Sequence, residues 1–244
     1  MGAVFGAKRH LHLAFDNIEN CSISTNPLAT VGKLLRIDHV EPIDYLTIIL
    51  WPNNPHFHPT VLWGVFAEWD METAYKVEDV PARIYADVTR RSAETIEAMD
   101  SEMQRLVAAV RAKRPDNPYL HLVRPLKECL CYHYDGLIAD TTDMHSILRT
   151  NTAYAKHRIT YKNVGDGLVI PDVDHKFFTT DLPYGLCIYK DLALALGVEV
   201  PVIDKLILWN QKMVGKEFMT ASGKLDGKDV AEAVLPSMYD CEWS

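Results

Sequence analysis

Between Ile84 and Val110 the apolar residues Val88, Ile96, Met99, Met103, Leu106 and Val107 fall at helical spacing, with charged residues between them. That period places one face of a helix on a core and the other in water. It predicts a long helix over residues 81–114, closed by Pro115. After a polar loop, residues 120–139 and 143–155 read as two more helices, the first with a bend near Gly136. Asn163 to Gly167 is a turn, and Leu168-Val-Ile170 is a short extended piece ended by Pro171. Asp181-Leu-Pro183 opens another helix, because Asp is a good cap and Pro is tolerated in a first turn, and Gly197 ends it. Pro201 opens a last helix through Ile203, Leu206, Ile207 and Trp209.

Before residue 60 the pattern changes. Ala3-Val-Phe5 and His10 to Ala14 read as short extended pieces around a Gly6 to Arg9 connection, residues 28–40 are weakly helical, and residues 43–50 are apolar. Pro52, Pro55 and Pro59 argue against a regular helix interior, so His56 and His58 are expected on a rigid loop close to the next element. The fold class expected is mainly α, with a small β-containing start.

Composition narrows the function classes. The chain has 244 residues, 48% hydrophobic and 24% charged, enough for a sizeable core. A net charge of -8 without a basic run argues against a phosphate-binding surface, so no nucleic-acid partner is expected. Cys21, Cys129, Cys131, Cys187 and Cys241 show neither a disulfide framework nor a metal pair and read as free thiols. Residues 45–51, the most continuous apolar run, fall far short of the ~20 a spanning helix needs. A soluble, cytoplasmic protein with no membrane partner is expected.

Two stretches carry candidate chemistry: Asn54-Pro-His56-Phe-His58-Pro59 and Lys176-Phe-Phe-Thr-Thr-Asp181-Leu-Pro183-Tyr-Gly185-Leu186. An imidazole can give and take protons near neutrality if a partner fixes its tautomer, so His58 and Asp181 can form a proton-transfer pair. A histidine on a proline-bounded loop and an aspartate capping a helix explain the same residues without chemistry. Lys176 can hold a carboxylate, or be a solvated loop lysine. Arg149, Asn151 and Tyr154 lie on one helical stretch and can line the same pocket or serve structure alone. His56 and His58 alternate, but no second ligand cluster accompanies them, so no metal site is expected. Gly2, Gly6, Gly32, Gly165 and Gly167 do not form the Gly-x-Gly-x-x-Gly fingerprint, and no cofactor-binding residue is assigned.

Taken in order, these segments resemble the α-helical catalytic domain of the octopine/nopaline (opine) dehydrogenase family, with the animal members most similar. The likeness runs from about Ile43 to about Gly227. It is carried by Asn54-x-x-x-His58-Pro59, by Arg149-Thr-Asn151-Thr-Ala-Tyr154, and by Thr180-Asp181-Leu-Pro183-Tyr-Gly185-Leu186. Ala195-Leu-Gly197-Val-x-x-Pro201-x-Ile203-Asp204 and Trp209 follow. The resemblance implies an NADH-dependent reductive condensation of pyruvate with an amino acid. His58 is then the proton donor and acceptor, Asp181 its orienting carboxylate, and Asn54, Arg149, Tyr154 and Lys176 substrate contacts. The family commonly has Arg where this chain has Lys176. Residues 1–42 are expected to be the tail of a dinucleotide-binding (Rossmann) domain or a linker, and residues 43–244 the catalytic domain. Such a chain is expected to lack most of the NAD site and not to turn over by itself. A non-catalytic binding module, or a dehydrogenase of 2-hydroxy acids without an amine, are the alternatives.

Overall fold

The structure is a computed structural model that describes residue 8 and residues 10–14, 27–37 and 39–239. The expected strand at Ala3 to Phe5, and Cys21 and Cys241, lie outside these residues. The fold is mainly α with two small sheets. At the start, β1 (His10–Ala14) pairs in parallel with β2 (His39–Ile43), and helix α1 (Pro27–Leu35) lies between them in sequence. Parallel pairing needs such a crossover, so this is a short β-α-β unit, the Rossmann-like remnant of the expected fold class. The weakly helical stretch accordingly stops at Leu35, and residues 39–43 turn into a strand.

Asp44 accepts the Thr47 N–H at 2.8 Å and starts α2 (Tyr45–Leu50). The proline cluster then forms a helix where the sequence predicted a loop: α3 runs Asn54–Phe66 and contains Pro55, His56, His58 and Pro59. Pro55 stands in the first turn, where its missing N–H has no helical partner anyway, and Pro59 removes one bond in the second turn. Burial of ten of the thirteen residues outweighs that loss.

The long helix α4 (Arg90–Lys113) is shorter than its apolar pattern. Thr89 accepts the Ser92 N–H at 3.0 Å and fixes the start, while Ile84 and Val88 reach the core from irregular backbone. The two following helices also contract. Pro125 breaks the first into a 3-10 turn (Leu120–Leu122) and α5 (Leu126–His133), and Gly136 takes a left-handed φ of 72° beyond it. Asp143 caps α6 (Met144–Thr150), which ends before Tyr154.

A three-stranded antiparallel sheet is ordered β3 (Tyr75–Lys76), β5 (Leu168–Pro171) and β4 (Tyr161–Gly165), with β3 coming from the segment between α3 and α4. The β4–β5 hairpin turns at Asp166 and Gly167, both left-handed. Next come the short α7 (Lys176–Thr179), a π turn (Leu182–Leu186), α8 (Cys187–Leu196) closed by left-handed Gly197, and α9 (Pro201–Met213). Helix α4 is shared by both cores. Its C-terminal part packs with α2, α8 and α9, and its N-terminal part with α3, α5 and α6. Against that block α3 and the π turn lie side by side. No helix among the described residues is long and apolar enough to cross a membrane.

Candidate active site

Residues 123 positions apart meet where α3 faces the π turn: His58 Nδ1 lies 2.7 Å from Asp181 Oδ2. Both residues are 7% exposed. Asp181 stands at the start of the helical stretch, as its sequence predicts, but its side chain makes no cap bond. The backbone there bonds across five residues, Leu186 N–H to the Asp181 carbonyl at 3.0 Å, and the carboxylate turns to the imidazole instead. A carboxylate can only accept, so it fixes the neutral ring with its proton on Nδ1 and a lone pair on Nε2. Phe177 stacks on the His58 ring at 3.7 Å and sets its plane.

The His58 ring faces a cleft of about 450 Å³. Asn54 and Lys176 line it, both exposed, and Tyr154 lines it from the far side. Tyr154 packs against Tyr85 (4.7 Å between centroids) and Tyr134 (5.0 Å), and burial raises the phenol pKa of all three. These rings are neutral walls. Arg149 does not line the cleft: it is exposed on α6. Asn151 is fully buried and does not line the cleft; its Oδ1 accepts the Ala153 N–H at 3.0 Å, and its Nδ2 has no partner among the described residues. The helical stretch expected to carry both Arg149 and Tyr154 ends at Thr150.

Several cleft residues lack a signal in the sequence motifs. His175 precedes Lys176 and accepts the Phe177 N–H through Nδ1 at 3.3 Å. His133 enters from α5, and burial holds its pKa down to about 4. Arg158 belongs to a run of three basic side chains, Lys156-His157-Arg158, the one hint available from sequence. Buried Cys129 reaches the wall with its thiol pKa raised to about 11 by desolvation, which leaves it a poor nucleophile. Among the described residues no group of His, Cys, Asp and Glu could hold a metal ion. Asp181 also opens behind His58 onto a second hollow of about 300 Å³, bordered by Asn53, Asn54, Tyr184 and Tyr189.

Residues 43–214 match the family described as NAD/NADP octopine/nopaline dehydrogenase, alpha-helical domain. The chain belongs to this family. It is 30% identical over 228 residues to the octopine dehydrogenase of Pecten maximus, covering 93% of this chain and 55% of that protein. The tauropine dehydrogenase of Arabella iricolor is 25% identical over 186 residues, 76% of this chain and 45% of the relative. A solved octopine dehydrogenase structure with NADH and L-arginine superposes with a TM-score of 0.76 at 30% identity, covering 88% of this chain and 52% of that one. The chain thus spans about half the length of the curated relatives it matches. As a member of this family it has the helical fold of opine dehydrogenases, and its relatives are oxidoreductases.

Proposed function

We propose that this chain supplies the substrate-binding, proton-transfer half of an NADH-dependent opine dehydrogenase that condenses a 2-oxo acid such as pyruvate with an amino acid. The buried His58–Asp181 pair on the wall of an open cleft carries the reading. The amine attacks the oxo-acid carbonyl, water leaves, and the resulting imine is reduced, so protons move at each stage. NADH, held by a separate domain, would supply the hydride. His58 gives and takes the protons through Nε2, and Asp181 holds the ring and stabilises its charged form. Lys176 attracts the oxo-acid carboxylate as a point charge rather than the planar fork of an arginine.

The 244 residues contain no Gly-x-Gly-x-x-Gly run to cradle a pyrophosphate, so the residues described do not fit the whole cofactor. A separate dinucleotide-binding domain, with residues 1–42 as its tail, completes the enzyme in this proposal. The test joins such a domain to the chain and follows NADH oxidation with pyruvate and amino acids. A secondary-amine dicarboxylate is the expected product, and a plain hydroxy acid would refute the condensation. In the active protein His58→Ala is expected to lower turnover by ~100-fold or more. A near-normal rate would remove His58 from proton transfer. A folded, joined protein without activity would favour a binding module instead.

A further inference from the structure

The cleft beside His58 has a charge pattern opposite to that of the chain. The sequence carries 33 acidic against 25 basic side chains, yet among the described residues no aspartate or glutamate lines this cleft. Its charged side chains are Lys8, Arg158 and Lys176, and none of the three forms an ion pair among the described residues. Asp181 lies behind His58 and opens onto the other hollow. Arg158 is well placed, because its backbone bridges Arg83 and is bracketed by two hydrogen bonds, Ile84 N–H to His157 O (2.9 Å) and Ile159 N–H to Ala82 O (3.3 Å). Lys8 is half-buried, and desolvation lowers its pKa, as expected of a cation with no anion beside it.

We propose that Arg158, with Lys8, holds the carboxylate of the amino-acid substrate while Lys176 holds that of the oxo acid, and that the cleft selects amino acids without a positive side chain. This rests on the reductive condensation proposed above. Each reactant brings one carboxylate and the condensed secondary amine keeps both, so the product is a dicarboxylate that needs two cationic partners. Arg158 offers a planar fork for one of them. A guanidinium on the amino acid's side chain would face three like charges, with no carboxylate among the described residues of the cleft wall to offset them. Aromatic faces attract cations, but Tyr85 and Tyr134 both turn toward Tyr154, and Trp51 lies against His12 and His133, so these rings are occupied with neighbours.

The discriminating experiment is an NMR shift titration of the full chain with two ligands: the dicarboxylate of pyruvate and alanine, N-(1-carboxyethyl)alanine, and its arginine counterpart, octopine. The alanine-derived ligand is expected to bind roughly 10-fold more tightly or better. Arg158→Gln is expected to weaken that ligand by about 10-fold and octopine less, which narrows the gap. Equal or tighter binding of octopine to the unaltered chain overturns the selectivity while leaving the condensation reading intact. An unchanged gap in the variant removes Arg158 from the role. Binding of neither ligand, with the unaltered chain folded, sinks this inference, while the condensation is judged separately by NADH oxidation in the joined protein.

Discussion

His56 and His58 stand two residues apart on α3 and have opposite surroundings. His56 is 1% exposed, accepts the Asn53 N–H through Nδ1 at 3.4 Å, and meets the edge of Tyr189, while its Nε2 has no partner among the described residues. Burial lowers its pKa to about 3. The folded value is thus below the unfolded value of about 6.5, so the neutral ring contributes stability above pH 6.5 that is lost progressively as pH falls toward 3. By pH 5 the loss is roughly 2 kcal/mol. Glutamine at this third helical position can still accept the Asn53 N–H and does not titrate. His56→Gln is therefore expected to shrink the fall in urea midpoint between pH 7 and pH 5, and an undiminished fall would show that His56 is not the group responsible. The sequence distinguished these two histidines only through the ordered family segments around His58. Arg149 lies outside the cleft of His58. The period of the sequence puts it on one helical stretch with Tyr154, and α6 stops between them.

At the scale of elements, one glycine sets how closely the π turn approaches α3. A Cβ on Gly185 would sit 2.2 Å from Pro55 Cγ and 2.6 Å from its Cβ. Pro55 is three residues before His58 and Gly185 four after Asp181, so any added atom pushes the two partners apart. Gly185→Ala is expected to destabilise the fold by about 1–3 kcal/mol through overpacking and to lengthen the His58–Asp181 bond. The ring ¹⁵N resonances of His58 report that bond directly. Pro55→Gly in the same chain removes both obstructing atoms and should restore the resonances, at a helix cost of about 1 kcal/mol. Unshifted ring resonances in the single variant would mean that the contact does not position the pair. The starts of α5, which the sequence pattern runs through, and of α9, which it marks at Pro201, are both fixed from outside. Pro125 precedes α5 and Val200 precedes α9, and neither can cap with a side chain. Their caps come instead from α4, where Asp100 accepts the Leu126 N–H at 2.9 Å and Glu102 accepts those of Val202 and Ile203 at 2.7 and 3.0 Å. The apolar period showed that α4 packs, while the work of these buried carboxylates depends on partners up to 101 residues away.

At the scale of the molecule, the question is how the β-α-β unit is fastened to the helical body. The His133 ring is 4% exposed, and its Nδ1 lies 2.9 Å from the His10 carbonyl, which ties the start of β1 to α5. His10 stacks on Tyr132 at 4.0 Å and His12 lies against Trp51 at 4.4 Å, so among the described residues the strand meets the body through these rings, the packing of Ala14 and the hydrogen bond to His133. His133 also lines the cleft, as does Lys8 just before the strand. His133→Phe keeps a ring of similar breadth and removes the donor, so the strand loses one bond while the packing surface persists. Amide protection of β1 at pH 7 is therefore expected to fall several-fold, with that of α4 and α9 unchanged. In the unaltered chain the same strand should loosen in acid. Burial holds the His133 pKa to about 4, below its unfolded value, so its contribution is present above about pH 6.5 and is lost as pH falls toward 4. Protection factors of β1 measured at pH 7 and pH 5 separate the two effects: the unaltered chain should lose protection and the His133→Phe chain, already loosened, should change less. Equal losses in both chains would place the acid sensitivity of this junction elsewhere, with His12, whose pKa burial also lowers, the next group to replace.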